Sequence, residues 1–235
     1  MVLFGATGDL ARRKLLPGLF HLLTVGLLPH LRIVGASLEE HTQESFVKFV
    51  REALEEFEGD LDEGEWGRFS GRLFWAQSGT PEALRTAVAD SAIDLDEPQQ
   101  LLHYLSVPPK AAMAVIDTLR EAGLVENSRV IMEKPFGVDL ESAKQLNAAV
   151  HEVFDEEQVF RIDHFLGKEA ALNILAFRFA NGLFEPIWHR NMIDHVQIDI
   201  PEALGLEQRA QFYDCLLYTS PSPRDRTRSR MPSSA

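Results

Sequence analysis

Short apolar segments alternate with longer segments of helical spacing over the first 160 residues. Five apolar runs have the length and composition of buried strands: 1–4, 31–37, 72–77, 101–107 and 128–135. Each is followed by a stretch in which apolar residues recur every three or four positions, as in a helix with one buried face. This alternation predicts an α/β fold, a parallel sheet covered by helices on both faces.

The predicted helices connect consecutive strands. The first begins after Gly8, and the others cover 42–57, 81–91, 109–123 and 139–154. Thr42 and Asp139 are predicted to cap two of them, and Pro17 is expected to kink or locally break the first. With right-handed crossovers, these segments form a Rossmann-like doubly wound domain, which we assign to residues 1–160 as a dinucleotide-binding domain.

The pattern changes after residue 160. "HVQIDI" (195–200) alternates polar and apolar residues, which predicts a strand with one solvated face. We therefore expect residues 161–214 to be the incomplete start of an α+β domain with an antiparallel sheet. Residues 215–235 hold five serines, three prolines and four arginines. We expect this tail to be disordered or foreign to the natural protein, rather than a basic anion-binding arm.

Composition narrows the class of protein. The 235 residues are 45% hydrophobic and 25% charged, and no apolar run approaches the roughly 18 residues of a membrane span. A net charge of −13 argues against non-specific nucleic-acid binding. Cys215 is the single cysteine, so we expect no internal disulfide and a reduced, cytoplasmic protein. The eight histidines lack the spacing of metal ligands, and we predict no metal site.

A glycine-containing loop follows the first predicted strand. "VLFGATGDLARRK" places Gly5 and Gly8 between strand and helix, with Ala11 where a third small residue is usual. The first glycine permits a tight turn, and the second lets backbone N–H groups approach a pyrophosphate at the helix N-terminus. This context predicts a dinucleotide site; a tight βα turn without a ligand is the alternative.

The choice between NAD and NADP stays open at this point. The second predicted strand is followed by Glu39 and Glu40, and acidic residues there favour the free ribose of NAD. Arg12 and Arg13 in the first helix are candidates for a 2′-phosphate, although a solvated helix face explains them equally well.

"RIDHFLGKE" (161–169) holds five ionisable residues in nine positions, with apolar residues between them. This crowding predicts a half-buried functional stretch rather than a core strand. Three segments now resemble the glucose-6-phosphate dehydrogenase family in order and spacing: "GATGDLARRKLLPGL" (5–19), "EKPFG" (133–137) and this one. The similarity extends through 177–191 and 201–214, so residues 1–214 resemble the N-terminal portion of that family.

The resemblance implies oxidation of glucose 6-phosphate at C1 with NADP as cofactor, in an enzyme that is homo-oligomeric at full length. The implied cofactor-binding residues are Gly5, Ala6, Thr7, Gly8, Asp9, Leu10, Arg13, Tyr104 and Lys134. The implied substrate-binding residues are Lys14, Lys134, His164, Lys168 and Glu202. Lys134 contacts both cofactor and sugar, and Asp163 orients the catalytic histidine.

Elementary chemistry supports the implied phosphate site. Lysine supplies charge and histidine a directional N–H, which a phosphate dianion accepts. His164 and Lys168 are four residues apart, so we expect them on one side of a helical turn. Lys134 follows a predicted strand, at the sheet edge where α/β folds bind ligands.

The chain departs from the family pattern in two places. Leu38 stands where NADP-preferring members carry an arginine, so NAD is possible. The general-base histidine, in a "QNH"-like motif shortly past Tyr213–Asp214, is missing from residues 215–235, and this chain alone is expected to be inactive or nearly so. The alternatives are a sugar oxidoreductase of the glucose–fructose oxidoreductase type that uses Lys134, and a non-catalytic NAD(P)-binding protein.

Overall fold

A computed structural model describes residues 1–93, 100–137, 139–163 and 167–197. The chain divides into two compact units. The first comprises Met1–Gly137 and Lys144–Ile162, and the second contains the described residues 139–143, 163 and 167–197. Neither unit contains, among the described residues, a helix long and apolar enough to cross a membrane.

The first unit is built on a six-stranded sheet in the order β3-β2-β1-β4-β5-β6, and every strand pair is parallel. The strands are β1 Val2–Phe4, β2 Ile33–Ser37, β3 Leu73–Gln77, β4 Leu101–Leu105, β5 Ser128–Glu133 and β6 Val159–Ile162. The order reverses between β1 and β4, as in the doubly wound nucleotide-binding folds. The predicted fold class is confirmed.

Seven α-helices are present in the described ranges. They are α1 Leu16–Thr24, α2 Gln43–Glu58, α3 Glu63–Ser70, α4 Pro81–Asp90, α5 Pro109–Glu121, α6 Leu140–His151 and α7 Glu169–Phe179. All five helices predicted from spacing are found, whereas α3 and α7 were not predicted. Thr42 caps α2 as expected: its Oγ1 accepts the Ser45 N–H, and Ser45 Oγ accepts the Thr42 N–H.

Two hydrophobic cores lie on opposite faces of the sheet. Val2 and Phe4 belong to one core, with residues of α4, α5 and α6, whereas Leu3 belongs to the other, with residues of α1, α2 and α3. Successive side chains of a strand point to opposite faces of the sheet, so the three residues of β1 contribute side chains to both cores. Burial on both faces explains why β1 is a continuous apolar run.

Three details correct the sequence-based expectations. "RIDHFLGKE" begins inside a strand, because β6 ends at Ile162; as an edge strand, β6 tolerates the exposed Phe160 and Arg161. The irregularity expected at Pro17 lies just before it, as a π-helical segment Ala11–Leu15 that passes into α1. Residues 195–197 form no strand, and 198–200 lie outside the described residues. The predicted domain limits stay predictions.

The described part of the second unit is sparsely packed. After α7 comes a 3₁₀ turn at Glu185–Ile187, and Phe177 stacks on Phe184 with ring centroids 4.1 Å apart. None of the described residues in 167–197 is buried.

Candidate functional site

The loop after β1 is shaped by backbone contacts that only glycine permits. Gly5 has φ +72°, and a Cβ added there would lie 2.2 Å from the Ser106 carbonyl oxygen. The Gly5 and Ala6 N–H groups both donate to Ala36 O, at 2.8 and 3.2 Å, which ties the loop to the end of β2. Gly8 N–H donates to Gly5 O at 2.9 Å. Helical backbone starts directly afterwards, so a helix N-terminus opens onto the carboxyl edge of the sheet.

This loop lies at the point where the strand order reverses. Ser106 directly follows β4, and its N–H donates to Phe4 O at 3.1 Å, which brings the ends of β1 and β4 together. Ser106 Oγ is buried without a hydrogen-bond partner. An unpaired buried hydroxyl on the residue that Gly5 packs against is an environment that fits the polar atoms of a dinucleotide. Ala11 is fully buried, so the small third residue serves close packing as predicted.

The end of β2 is polar and acidic. Thr7 Oγ1 and Ser37 Oγ are hydrogen-bonded at 2.7 Å, linking the glycine loop to this strand. Leu38 is 78% exposed, and its carbonyl accepts a hydrogen bond from Gln77 Nε2 at 2.9 Å. Glu39 and Glu40 follow and are exposed. Leu38 stands where the family resemblance leads us to expect an arginine, and residues 37–40 contain no lysine or arginine that could bind a 2′-phosphate.

The two arginines of the first helix are engaged with neighbouring side chains. Arg12 forms an ion pair with Glu56 of α2, and its Nε is buried. Arg13 lies 3.7 Å from Asp9 Oδ2 and packs over the ring of Phe57. A purely solvated face is thus wrong for Arg12, which joins the helix to α2. Lys14 and Leu10 are exposed.

Tyr104 and the end of β5 form the other side of the site. Tyr104 pairs with Ile131, and its hydroxyl donates to Glu133 Oε1, two residues further along β5, at 2.5 Å. Burial raises the pKa of Tyr104 above its ordinary value, and the hydrogen bond to the carboxylate adds to this effect, so the phenol stays protonated. Lys134 follows directly, is exposed, and precedes Pro135 through a cis peptide bond.

The structure thus brings the predicted cofactor residues to one edge of the first unit. The Gly5–Leu10 loop, Tyr104 and Lys134 follow the adjacent strands β1, β4 and β5 or end them. Glu133 was not predicted as a functional residue, since sequence alone gave it no partner beyond its neighbour Lys134. The register of β4 against β5 is the feature that reveals it.

The predicted phosphate residues are not brought together in the described structure. His164 and Glu202 lie outside the described residues, and Asp163 and Lys168 belong to the second unit. Lys168 itself has extended angles (φ −70°, ψ 133°) and α7 begins at Glu169. The helical turn expected between His164 and Lys168 stays a prediction, because residues 164–166 lie outside the described residues. Among the described residues, no group of three or more His, Cys, Asp or Glu side chains could hold a metal ion.

Two family models match the chain. "Glucose-6-phosphate dehydrogenase, NAD binding domain" matches residues 2–173, and "Glucose-6-phosphate dehydrogenase, C-terminal domain" matches residues 175–216. The first match covers most of the chain and contains every strand of the sheet.

Curated relatives and solved structures agree with the family models. Glucose-6-phosphate 1-dehydrogenases of Rhizobium meliloti (strain 1021) and Dickeya dadantii (strain 3937) are 41% and 42% identical, over 91% of this chain. The chain spans 44% of each of these relatives. A crystal structure of the Mycobacterium avium enzyme is similar with a TM-score of 0.78 at 36% identity, covering 91% of this chain and 46% of that one. A glucose-6-phosphate dehydrogenase in complex with its substrate glucose-6-phosphate has a TM-score of 0.80 at 33% identity, covering 92% and 46%.

Proposed function

The chain belongs to the glucose-6-phosphate dehydrogenase family, and on that premise we propose that it contributes the cofactor-binding part of an NADP-dependent sugar-phosphate dehydrogenase. The reaction is oxidation of D-glucose 6-phosphate at C1 to 6-phospho-D-glucono-1,5-lactone. One observation carries the proposal. The glycine loop, Tyr104 and Lys134 converge where the order of a parallel sheet reverses.

The cofactor site uses backbone groups more than side chains. Gly5 permits the tight turn against Ser106, Gly8 leaves room for a pyrophosphate at the helix N-terminus, and Ala6, Thr7, Asp9 and Leu10 complete that loop. Tyr104 and Lys134 belong to the β4–β6 half of the sheet, which binds the second mononucleotide in folds of this order. Bound cofactor supplies the hydride acceptor.

The substrate residues are assigned by family membership. Lys134 binds the sugar beside the cofactor, and Lys14 faces the same site. His164 and Lys168 bind the phosphate, and Glu202 accepts a hydrogen bond from a sugar hydroxyl. The C1 hydroxyl proton goes to a histidine base that Asp163 orients, as a carboxylate does in other His-dependent enzymes.

A polypeptide of these 235 residues has no histidine after His195, so it does not supply that base where the family motif would place it. Loss of a general base costs about 10² to 10⁴ in rate. We expect this polypeptide to bind cofactor and to turn over glucose 6-phosphate slowly or not at all. The homo-oligomeric state and cytoplasmic location of the longer family members are extended to this protein by the same proposal.

The preference for NADP over NAD is the finer part of the proposal. Family membership supports NADP, whereas the exposed Leu38 and the two glutamates after it suit the 2′-hydroxyl of NAD. Leu38→Arg is expected to raise the affinity for NADPH relative to NADH by roughly tenfold, because a cation then faces the 2′-phosphate. Leu27→Arg, at a position 68% exposed after α1, is the matched control. If the ratio of NADPH affinity to NADH affinity is the same in both variants, residue 38 does not face the 2′ position of the cofactor.

A substrate panel tests the proposed reaction. The purified chain is assayed for NADPH and NADH formation with glucose 6-phosphate and with glucose. The proposal expects saturable cofactor binding with little turnover of either sugar. Rapid turnover of glucose 6-phosphate would contradict the missing base. Turnover of glucose that disappears in Lys134→Ala would favour a sugar oxidoreductase that uses Lys134, and failure to bind either cofactor would overturn the proposal.

A further inference from the structure

The hydrogen bond between Tyr104 and Glu133 joins two side chains on neighbouring strands, in addition to the backbone pairing of β4 with β5. Both side chains stand on one sheet face, because Tyr104 pairs with Ile131 and Glu133 follows two residues later. Tyr104 packs against the core formed with α1, α2 and α3, and the residue is only partly buried. The hydroxyl reaches the carboxylate at the carboxyl edge, next to Lys134.

We propose that Glu133 is a positioning residue for the nicotinamide half of the cofactor, acting by holding the Tyr104 ring at the end of β4. This inference rests on the proposed function. Glu133 ends β5 and is itself held in the ladder to β6 through its pairing with Ile162. A carboxylate fixed on a strand is a stronger acceptor for a phenol than water, because the charge shortens and orients the bond.

The position of the pair determines which half of the cofactor it serves. The β1–β2–β3 half carries the glycine loop and the segment at Leu38, where the adenosine ribose binds in this fold. Tyr104 and Glu133 lie on the β4–β5–β6 half. We therefore expect them to contact the nicotinamide nucleotide. Loss of the carboxylate frees the phenol to turn toward water, so an ordered surface for the nicotinamide end is lost without disturbing the adenosine side.

Two probes separate a positioning role from a structural one. NADPH contains the nicotinamide, and 2′,5′-ADP contains only the adenosine half; NADH and ADP replace them if the wild-type chain binds NADH more tightly. Affinities are measured by calorimetry on the full chain, with circular dichroism as the check on folding. The variants are Tyr104→Phe, Glu133→Ala, Glu133→Gln and the double variant Tyr104→Phe/Glu133→Ala. Glu126→Ala, an exposed glutamate just before the opposite end of β5, is the matched control.

Tyr104→Phe and Glu133→Ala are each expected to weaken NADPH binding roughly fivefold to tenfold, the effect of one hydrogen bond to a charged group, and to leave the affinity for 2′,5′-ADP unchanged. The double variant is expected to match the singles, since both remove the same interaction. Glu133→Gln should lose less NADPH affinity than Glu133→Ala, because its amide oxygen still accepts a hydrogen bond from the phenol.

Equal weakening of both probes would make the pair merely structural and overturn the inference. Additive losses, or an unchanged NADPH affinity, would overturn it as well. A wild-type chain that binds 2′,5′-ADP and NADPH equally well would overturn this inference while leaving the adenosine site of the proposed function in place. A wild-type chain that binds none of the four probes would overturn both.

Discussion

The two units of the chain differ in how their apolar residues are used. In the first unit, apolar strand and helix residues fill two cores, and large side chains such as Phe4, Phe46 and Phe69 are almost completely buried. In the second unit, α7 has apolar residues around its circumference and buries none: Leu172, Ile174 and Leu175 are all more than half exposed. The first unit therefore contains two packed cores, whereas none of the described residues in 167–197, including the predicted substrate residue Lys168, is buried.

This contrast has a functional consequence. The glycine loop is tied to the ends of β2 and β4 by contacts within the first unit. Cofactor binding and sugar-phosphate binding are accordingly expected to be separable properties of this chain.

Truncation of buried and exposed phenylalanines should give the largest difference. Phe46→Ala removes a fully buried ring and is expected to lower the free energy of unfolding by about 3–5 kcal/mol. Phe177→Ala, in α7 and 42% exposed, should cost less than about 1 kcal/mol. Urea unfolding followed by far-UV circular dichroism measures both. Similar losses would mean that α7 is as well packed as the sheet, and the contrast would fail.

Acid should destabilise the first unit through His103. This side chain is fully buried, its Nε2–H donates to Leu124 O at 2.7 Å, and Nδ1 has no partner. Burial lowers the pKa of His103 to about 4. Above the unfolded pKa of about 6.5 the residue is neutral in both states and contributes no pH dependence. As the pH falls from about 6.5 to 4, the unfolded state gains a proton that the folded state does not, at a cost of up to about 3 kcal/mol.

The His103→Gln variant tests this assignment, because glutamine keeps a donor for Leu124 O and does not titrate. Unfolding is followed at several pH values by Trp66 and Trp75 fluorescence in a Trp188→Phe background, which confines the signal to the first unit. The variant should lose less stability than the parent between pH 6.5 and 4. Parallel pH profiles would show that His103 does not govern the acid response.

Removal of the α2 cap should give the smallest effect. Thr42→Ala removes the hydroxyl that accepts from the Ser45 N–H, keeps the backbone N–H that donates to Ser45 Oγ, and is expected to cost about 1 kcal/mol. Thr42→Ser, which keeps the hydroxyl, serves as control and should stay near the parent. The same fluorescence assay resolves this difference, and a cost of Thr42→Ala no larger than that of the control would show that the cap contributes nothing measurable.

Periodicity predicted five of the six strands because each contains a run of apolar residues, most of them buried or partly buried. β6 was not predicted because it is only four residues long and contains Arg161, and α3 was not predicted because Gly64 and Gly67 weaken its helical pattern. The glycine loop was predictable from backbone demands that only glycine meets. The Tyr104–Glu133 pair was not, because it depends on the register between two strands 23 residues apart in the chain.

Cofactor titration of the purified chain is the direct test for a dinucleotide site at the glycine loop. Calorimetry with NADPH and NADH compares the wild-type chain with Gly8→Val, at the exposed loop glycine, and Gly18→Val, at an exposed glycine with open space around its Cα. The account predicts one cofactor per chain, an affinity that falls more than about tenfold in Gly8→Val because a side chain there blocks the pyrophosphate, and little change in Gly18→Val. Binding that is absent, or that survives Gly8→Val unchanged, would contradict a dinucleotide site at the reversal point of the sheet.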